Sequence, residues 1–505
     1  MRANAGFRIT IACDRRNRDN TGMASLPQPD PGKTAFLEQL RVIVGEAQVL
    51  TAAADVAAFY TDWRRVYSGA GLAVVRPANT AEVSRVVALC AANRIAIVPQ
   101  AGNTGLVGGS VPVAQAGEEK REIVLSVARL NRILALDALN DTMTVEAGCV
   151  LAAIQKAADE AGRLFPLSLA AEGSCQIGGN LSTNAGGVGV LRYGNARDLV
   201  LGLEVVLPDG RVWHGLKGLR KDNTGYDLKQ LFLGAEGTLG IITAAVLKLY
   251  PKPSASTTAW IAVESPQKAV ELLAAMRALA GDRLTAFELI SRVCLDAVLT
   301  HASKTRPGIT DPLPGRHPWY VLAEMTDSGT QQALTERAET ALAECSERGI
   351  LLDVAIAQSE SQANSLWAIR ENIPEAQFAN VKHDVSVPVS SIPKLVDEGM
   401  AALSAAFPGC IGYIFGHIGD GNLHYNIGMV DEPATRELMQ RRKEVGAVVY
   451  KVVTGLSGSI SAEHGLGQLK RDEIKQRKSA LEMELMHRIK DAIDPLGLLN
   501  PGKVL

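Results

Sequence analysis

LAVVRPANTAEVSRVVALCAANRIAIVPQAGNTGLVGGSVP, residues 72–112, is the stretch on which the fold turns. Residues 72–77 are largely apolar and read as a strand. Thr80 then caps a helix in which Val83, Val86, Val87 and Cys90 form one apolar stripe. Residues 94–100 (RIAIVPQ) make a second strand. Strand, helix and strand at this length are a βαβ unit of an α/β domain. The glycines that follow, Gly102, Gly105, Gly108 and Gly109, stand among Asn103, Thr104 and Ser110 just after Gln100. They give a loop whose backbone N–H groups can turn inward on a phosphate. The spacing is not GxGxxG and no helix pattern follows, which disfavours a Rossmann site.

Upstream, residues 35–67 carry apolar residues at helical spacing. Residues 1–22 are rich in Arg and Asn and lack an apolar segment, so they read as a disordered leader rather than a secretory signal, with Met23 as the true start or an Arg-rich organelle-targeting segment as alternatives. Downstream, strands are expected at 123–127 and 142–145, and a helix at 151–161. Residues 172–189 form a long glycine-rich passage. Residues 199–213 make a hairpin turned at Asp209-Gly210. A strand over 238–253 ends on prolines, a natural boundary. Beyond it, helices at 266–280 and 330–348 alternate with strands such as 319–325, which suggests an α+β domain with an antiparallel sheet. Residues 306–318 are a Pro/Gly-rich loop expected at the surface, and residues 472–493 are helix-rich before a closing NPGKVL. No internal repeat is present.

The chain has 505 residues, with 47% hydrophobic and 21% charged, so two or three folded domains are expected. Lys plus Arg total 52 against 54 acidic residues, which gives no electrostatic reason for a nucleic-acid partner. Seven cysteines without a CxxC pair argue against a disulfide scaffold, a zinc ribbon or an iron–sulfur cluster. No run approaches the ~18 apolar residues of a membrane span.

A second glycine run, GSCQIGGNLSTNAGG (residues 173–187), offers clustered amides at Gly173, Gly178, Gly186 and Gly187. Ser174, Asn180, Thr183 and Asn184 add neutral donors and acceptors. Either run alone is as well explained as a surface loop; two in one α/β domain favour a large phosphorylated cofactor. A third segment, residues 220–243, carries Glu236, Gly237 and Ile242 and says little by itself.

GHIGDGNLHYN (residues 416–426) sets His417 and His424 seven positions apart. A straight strand throws such positions to opposite faces, but the Gly-Asp-Gly-Asn turn lets the chain double back. Both imidazoles can then face one point. SGSISAEHGLGQLKR (residues 457–471) brings Glu463 and His464 together. Two histidines and one carboxylate match a catalytic site with a position open for substrate. Zn²⁺ suits such ligands, with Mn²⁺, Co²⁺ and Fe²⁺ as alternatives. On spacing alone, ordinary hydrogen-bonded loop histidines remain the better account.

TDW at residues 61–63, the first glycine run, GGNLSTNAGG and LRKDNTGYDLKQLFLGAEGTLGIIT carry a resemblance from about Tyr60 to the C-terminus. They resemble the flavin-binding domain of the vanillyl-alcohol oxidase and p-cresol methylhydroxylase family. Within it they look most like the branch of D-2-hydroxyglutarate dehydrogenases, with D-lactate and glycolate dehydrogenases as neighbours. The resemblance implies an α+β architecture: a PCMH-type FAD-binding domain of two α/β subdomains over 35–253 after a leader at 1–34, and a substrate-binding cap over 254–454. A helical segment at 455–505 then completes the active site. It implies FAD on all three glycine-bearing segments, with the pyrophosphate on 102–109. Relatives with covalent flavin have a histidine about where Asn103 stands, so binding here should be non-covalent.

The same resemblance makes His417, His424 and Glu463 the metal ligands, with Asn426 and His464 facing substrate. A 2-hydroxy acid could chelate the ion while His464 takes the hydroxyl proton. Arg370 and Lys382 would hold carboxylates. Relatives that contact hydroxyglutarate with a threonine four residues after the arginine would have it at Pro374, which leaves D-lactate, D-malate or a broad range of D-2-hydroxy acids open. The implied electron acceptor is an electron-transfer flavoprotein, or a quinone or cytochrome for a lactate enzyme. A homodimer and a cytoplasmic or organelle-matrix setting, with at most peripheral membrane contact, complete the expectation. A metal-free flavin oxidase and a metallohydrolase are the competing classes.

Overall fold

The computed structural model describes residues 31–115, 121–305, 309–377 and 380–505. The leader proper, residues 1–30, lies outside them, as do residues 306–308 of the proposed surface loop. Residues 31–34 belong not to a leader but to the first turn of a helix, Pro31–Val44. The helical pattern after it is broken: a second helix covers Ala53–Tyr60, and the chain then turns through residues 61–68.

The βαβ unit forms, with one change at its cap. Asn79, not Thr80, is the N-cap; its side chain accepts from the Glu82 N–H at 2.9 Å, and Thr80 opens the helix Thr80–Asn93. Either residue type can cap. Val83, Val86, Val87 and Cys90 are fully buried, and each valine there contributes roughly 1.5–3 kcal/mol. Val74–Val75 and Ala96–Gln100 flank Glu122–Ser126 in parallel, and Val49–Leu50 adds an antiparallel edge.

A five-stranded antiparallel sheet follows, in the order Ile133–Asp137, Thr142–Glu146, Ile241–Lys248, Val200–Val206, Val212–Gly215. Its last pair is the hairpin turned at Asp209-Gly210, where Gly210 has φ +88°. The exposed strand Ile133–Asp137 shows no alternation and is invisible to a pattern reading. The second glycine run is not loop throughout: Ile177–Ser182 is a short helix.

The second half is built on a seven-stranded antiparallel sheet. Its order is Asp353–Ile356, Ala255–Val263, Trp319–Asp327, Leu284–Ser291, Ile411–Gly416, Asn422–Gly428, Asp384–Ser386. Helices Pro266–Ala280 and Gln331–Glu347 pack against one another beside it, and Thr330 caps the second. The loop expected at the surface is anchored: Leu313 is buried and Asp311 pairs with Arg292. The two halves have separate hydrophobic cores. The C-terminal tail returns to the first, where Leu499 bridges Ile97. The six described cysteines are all free, and no described helix is long and apolar enough to cross a membrane.

Candidate active site

The two glycine runs meet. A Cβ on Gly102 would lie 2.4 Å from the Ser174 carbonyl oxygen, so only glycine lets the loops touch. Together they wall one open cleft. Gln100, Gly102, Asn103, Thr104, Gly105, Gly109, Ser110, Gly178, Asn180, Thr183, Glu236, Gly237 and Ile242 line it, and so does His464.

Several of these residues serve the walls rather than the space. Gln100 donates to the carbonyls of Phe59 and Ser110. Asn103 donates to Ala58 and Thr61 and accepts from Ser110 Oγ. Gly108, Gly173, Ser174, Asn184, Gly186 and Gly187 are not in the lining: Asn184 accepts from the Arg197 N–H, and Gly187 N–H donates to Glu463 Oε1 at 2.8 Å. In contrast, Gln176 Oε1 and Asn180 Oδ1 are buried acceptors without a partner, and both residues line the cleft. Unpaired buried acceptors are costly, so a ligand offering N–H or O–H donors fits here, as FAD does.

The hairpin Ile411–Gly416 to Asn422–Gly428 turns over residues 417–421. Gly421, at φ +91°, is pressed against the Val387 carbonyl, where a Cβ would sit 2.2 Å away. The turn brings the rings of His417 and His424 to 5.7 Å between centroids. Glu463 Oε1 lies 3.4 Å from His417 Nε2. One ligand atom from each of His417, His424 and Glu463 falls within 4.8 Å of the others, a spacing that can hold a metal ion. Asp384, Glu463 and His464 meet the same criterion.

Two acids that the motifs did not flag hold this centre. Glu288 accepts from Arg370 Nε at 2.7 Å and faces His417 Nδ1 at 2.6 Å. Burial works against its charge, but His417 and Arg370 outweigh that and hold its pKa down at about 2. In turn burial opposes charging His417, while Glu288 and Glu463 lift its pKa to about 9. Burial pushes the His424 pKa well down, with Arg370 adding to the effect, which favours the neutral ring. Asp384 accepts backbone N–H bonds from Ala462, Glu463 and His464 at 3.2, 2.9 and 3.2 Å, and lies 3.4 Å from His464 Nδ1.

The loop bearing Glu463 and His464 is clamped from the other side as well. Glu236 accepts from the N–H groups of Leu466 and Gly467 at 2.7 and 2.8 Å. Glu236 and Asp384, one from each half of the molecule, thus fix the same loop. Asn500 Nδ2 adds bonds to the carbonyls of Gly109 and Glu236.

Arg370 is buried, with its guanidinium 4.9 Å from the Phe415 ring centre. Asn426 is also buried; it donates to Gln377 Oε1 and accepts from the His383 N–H. Lys382 is exposed, and it does not line the cleft. Glu288 had one signal available in the sequence: it is the lone acid within the apolar strand Leu284–Ser291.

Residues 71–215 match the FAD binding domain family, and residues 252–504 match the family of FAD linked oxidases, C-terminal domain. The chain is 41% identical to the mitochondrial D-2-hydroxyglutarate dehydrogenase of Arabidopsis thaliana, covering 95% of this chain and 84% of that one. Against the mitochondrial enzyme of that name from Bos taurus identity is 39%, with 92% and 82% covered. Against D-2-hydroxyglutarate dehydrogenase of Xanthomonas citri pv. viticola it is 39%, with 92% and 96% covered. The fold is shared with substrate-bound p-cresol methylhydroxylase, at TM-score 0.73 and 19% identity over 94% of this chain and 97% of that one.

Proposed function

The chain belongs to the FAD-linked oxidase family, among the D-2-hydroxyglutarate dehydrogenases, and from that premise we propose that it oxidises a D-2-hydroxy acid, D-2-hydroxyglutarate foremost, to the 2-oxo acid. The observation that carries this reading is the meeting of both glycine runs with His464 in one cleft, beside the His417–His424–Glu463 cluster. We divide the chain accordingly into an FAD-binding domain to residue 253, a cap to 454 and a closing segment.

Bound FAD supplies the oxidising chemistry by accepting the hydrogen and electrons of the substrate C2–H bond. The open amides of the 102–109 loop suit its pyrophosphate, and Gln176 and Asn180 suit polar hydrogens of its ring system. The link is non-covalent, since Asn103 stands where covalent relatives carry histidine. His417, His424 and Glu463 would hold a divalent ion, Zn²⁺ before Mn²⁺ or Co²⁺, which lowers the pKa of an oxygen bound to it.

The protein's own residues do the rest. His464 Nε2 accepts the hydroxyl proton, while its Nδ1 faces Asp384, the partner that fixes the tautomer. Asp384 also sets the loop that carries Glu463. Arg370, oriented by Glu288, holds the carboxylate beside the reacting carbon. Lys382 and Asn426 complete the substrate contacts.

One observation favours a wider substrate range: Pro374, exposed four residues after Arg370 in the helix Glu360–Ala376, has no hydroxyl to offer. D-lactate and D-malate therefore stand as second substrates. Electrons then pass to an electron-transfer flavoprotein, or to a quinone or cytochrome, from a homodimer in the cytoplasm or a matrix compartment. The test is flavin content and dye reduction with D- against L-2-hydroxyglutarate. A yellow protein reducing the dye with the D form supports the reading; a colourless protein, or equal turnover of both forms, overturns it.

A further inference from the structure

The helix Glu360–Ala376 carries Arg370 and ends on Gln377 as its C-cap. The two are seven positions apart, close to two turns of helix, so they leave it on about the same side. Arg370 reaches Glu288, and Gln377 reaches Asn426. Asn426 stands two residues after His424 in the strand Asn422–Gly428 and shares its face of the sheet.

Behind Asn426 the polar groups form one directed chain. The His383 N–H is a donor only, so the Asn426 oxygen must face it, at 3.3 Å. The Asn426 nitrogen then faces Gln377, whose Oε1 accepts from it at 3.2 Å and from Asn380 Nδ2 at 3.2 Å. That leaves the Gln377 nitrogen for the Cys294 sulfur, at 3.2 Å. Ser291 Oγ donates to the same sulfur at 3.3 Å, and the thiol donates to the Ile414 carbonyl at 3.7 Å. A backbone donor at one end and a backbone acceptor at the other fix the orientation of each amide between them.

Cys294 is 0% exposed, and Gln377, Asn380 and Asn426 are 4% exposed each, so water does not stand in for these partners. The Asn426 nitrogen carries two hydrogens. Gln377 takes one; among the described residues the other has no acceptor. Gln377 therefore sets the direction in which Asn426 offers its remaining N–H.

We propose that Gln377, anchored on Cys294, is a positioning residue that holds the Asn426 amide with its second N–H turned to a substrate oxygen. The inference rests on reading Asn426 as a substrate contact of a D-2-hydroxy acid site. Gln377 itself touches no reacting atom, and its effect passes through Asn426.

The experiment is a double-mutant cycle on holoenzyme, titrating 2-oxoglutarate, the unreactive product, and following the flavin difference spectrum. Q377M should weaken binding by about 3–10-fold, as for one neutral hydrogen bond. In an N426A background the same substitution should cost nothing further, because coupled partners are not additive. Q377E keeps the acceptor and the shape and should stay near wild type. C294A leaves Gln377 unanchored and gives a second entry to the cycle if Q377M does not fold; its smaller loss should also vanish with N426A. Wild-type binding in Q377M, a loss that persists in full beside N426A, or a Q377E as weak as Q377M overturns the proposal. Bleaching of the wild-type flavin by D-2-hydroxyglutarate reports separately on the underlying reading; if the wild type bleaches while N426A binds unchanged, the positioning role alone falls.

Discussion

Replacing Glu288 by glutamine removes one negative charge from between two cationic side chains while keeping the volume. The carboxylate is 1% exposed, with Arg370 on one oxygen and His417 on the other. Glutamine can still accept one of these bonds, but its amide end meets the other partner as donor against donor. Breaking a buried pair from one side costs about 3–5 kcal/mol, because the remaining charge stays buried. At about 2–4 °C per kcal/mol for a domain of ~150–250 residues, the melting temperature should fall by roughly 6–20 °C. A second effect separates this from plain destabilisation. Once His417 Nδ1 no longer faces a carboxylate, Nε2 loses basicity and orientation, so zinc affinity should fall by about 10–100-fold. Calorimetry reads the first effect, and competition with a chromophoric chelator at a temperature where the variant is folded reads the second. Wild-type values in both would refute the idea that Glu288 organises the centre.

Three further outcomes are expected. His464→Ala should keep FAD and metal yet lose turnover by about 10²–10⁴-fold, as for a general base; near-normal rates in stopped-flow reduction would remove it from that role. Gly187→Ala should lose flavin, because its φ is +110° and the new Cβ would sit 2.0 Å from the Ser168 carbonyl; full flavin content would contradict this. His383 and Glu288 should each contribute a loss of stability with acid, in two successive windows. Burial, with Lys470 adding to it, lowers the His383 pKa to about 4 against the opposing bond to Tyr425, so the unfolded chain takes up the proton first as pH drops from 6.5. That removes up to about 3 kcal/mol, and Glu288, held at about 2, continues the loss below 4.5. Replacing His383 by phenylalanine should remove this part of the pH dependence; an unchanged fall between pH 6.5 and 4.5 would contradict the assignment for His383.

Periodicity and turn chemistry made much of the fold readable. The stripe of Val83, Val86, Val87 and Cys90, the Asp209-Gly210 hairpin and the Gly-Asp-Gly turn each depend on local spacing, and each is present. Ile133–Asp137 was not legible, because an exposed edge strand needs no alternation. The helix Ile177–Ser182 was hidden inside a glycine-rich run, since tertiary packing against Ala147 overrides weak propensity there. At the site, His417, His424 and Glu463 were picked out by motif and are brought together by a turn and a loop. Their supports were not. Glu288 and Asp384 act through partners distant in sequence. Sequence spacing can mark ligands, but register between strands decides which acid stands behind each.

The central claim is that oxidation takes place between a flavin and a cation held by His417, His424 and Glu463. Anaerobic mixing with D-2-hydroxyglutarate, before and after removal of metal by a chelator, tests it most directly. The account predicts that the flavin absorbance bleaches with the D enantiomer and not the L, stops bleaching after chelation, and recovers when Zn²⁺ or Mn²⁺ is returned. Bleaching that survives complete removal of metal, or that proceeds equally with the L enantiomer, would contradict it.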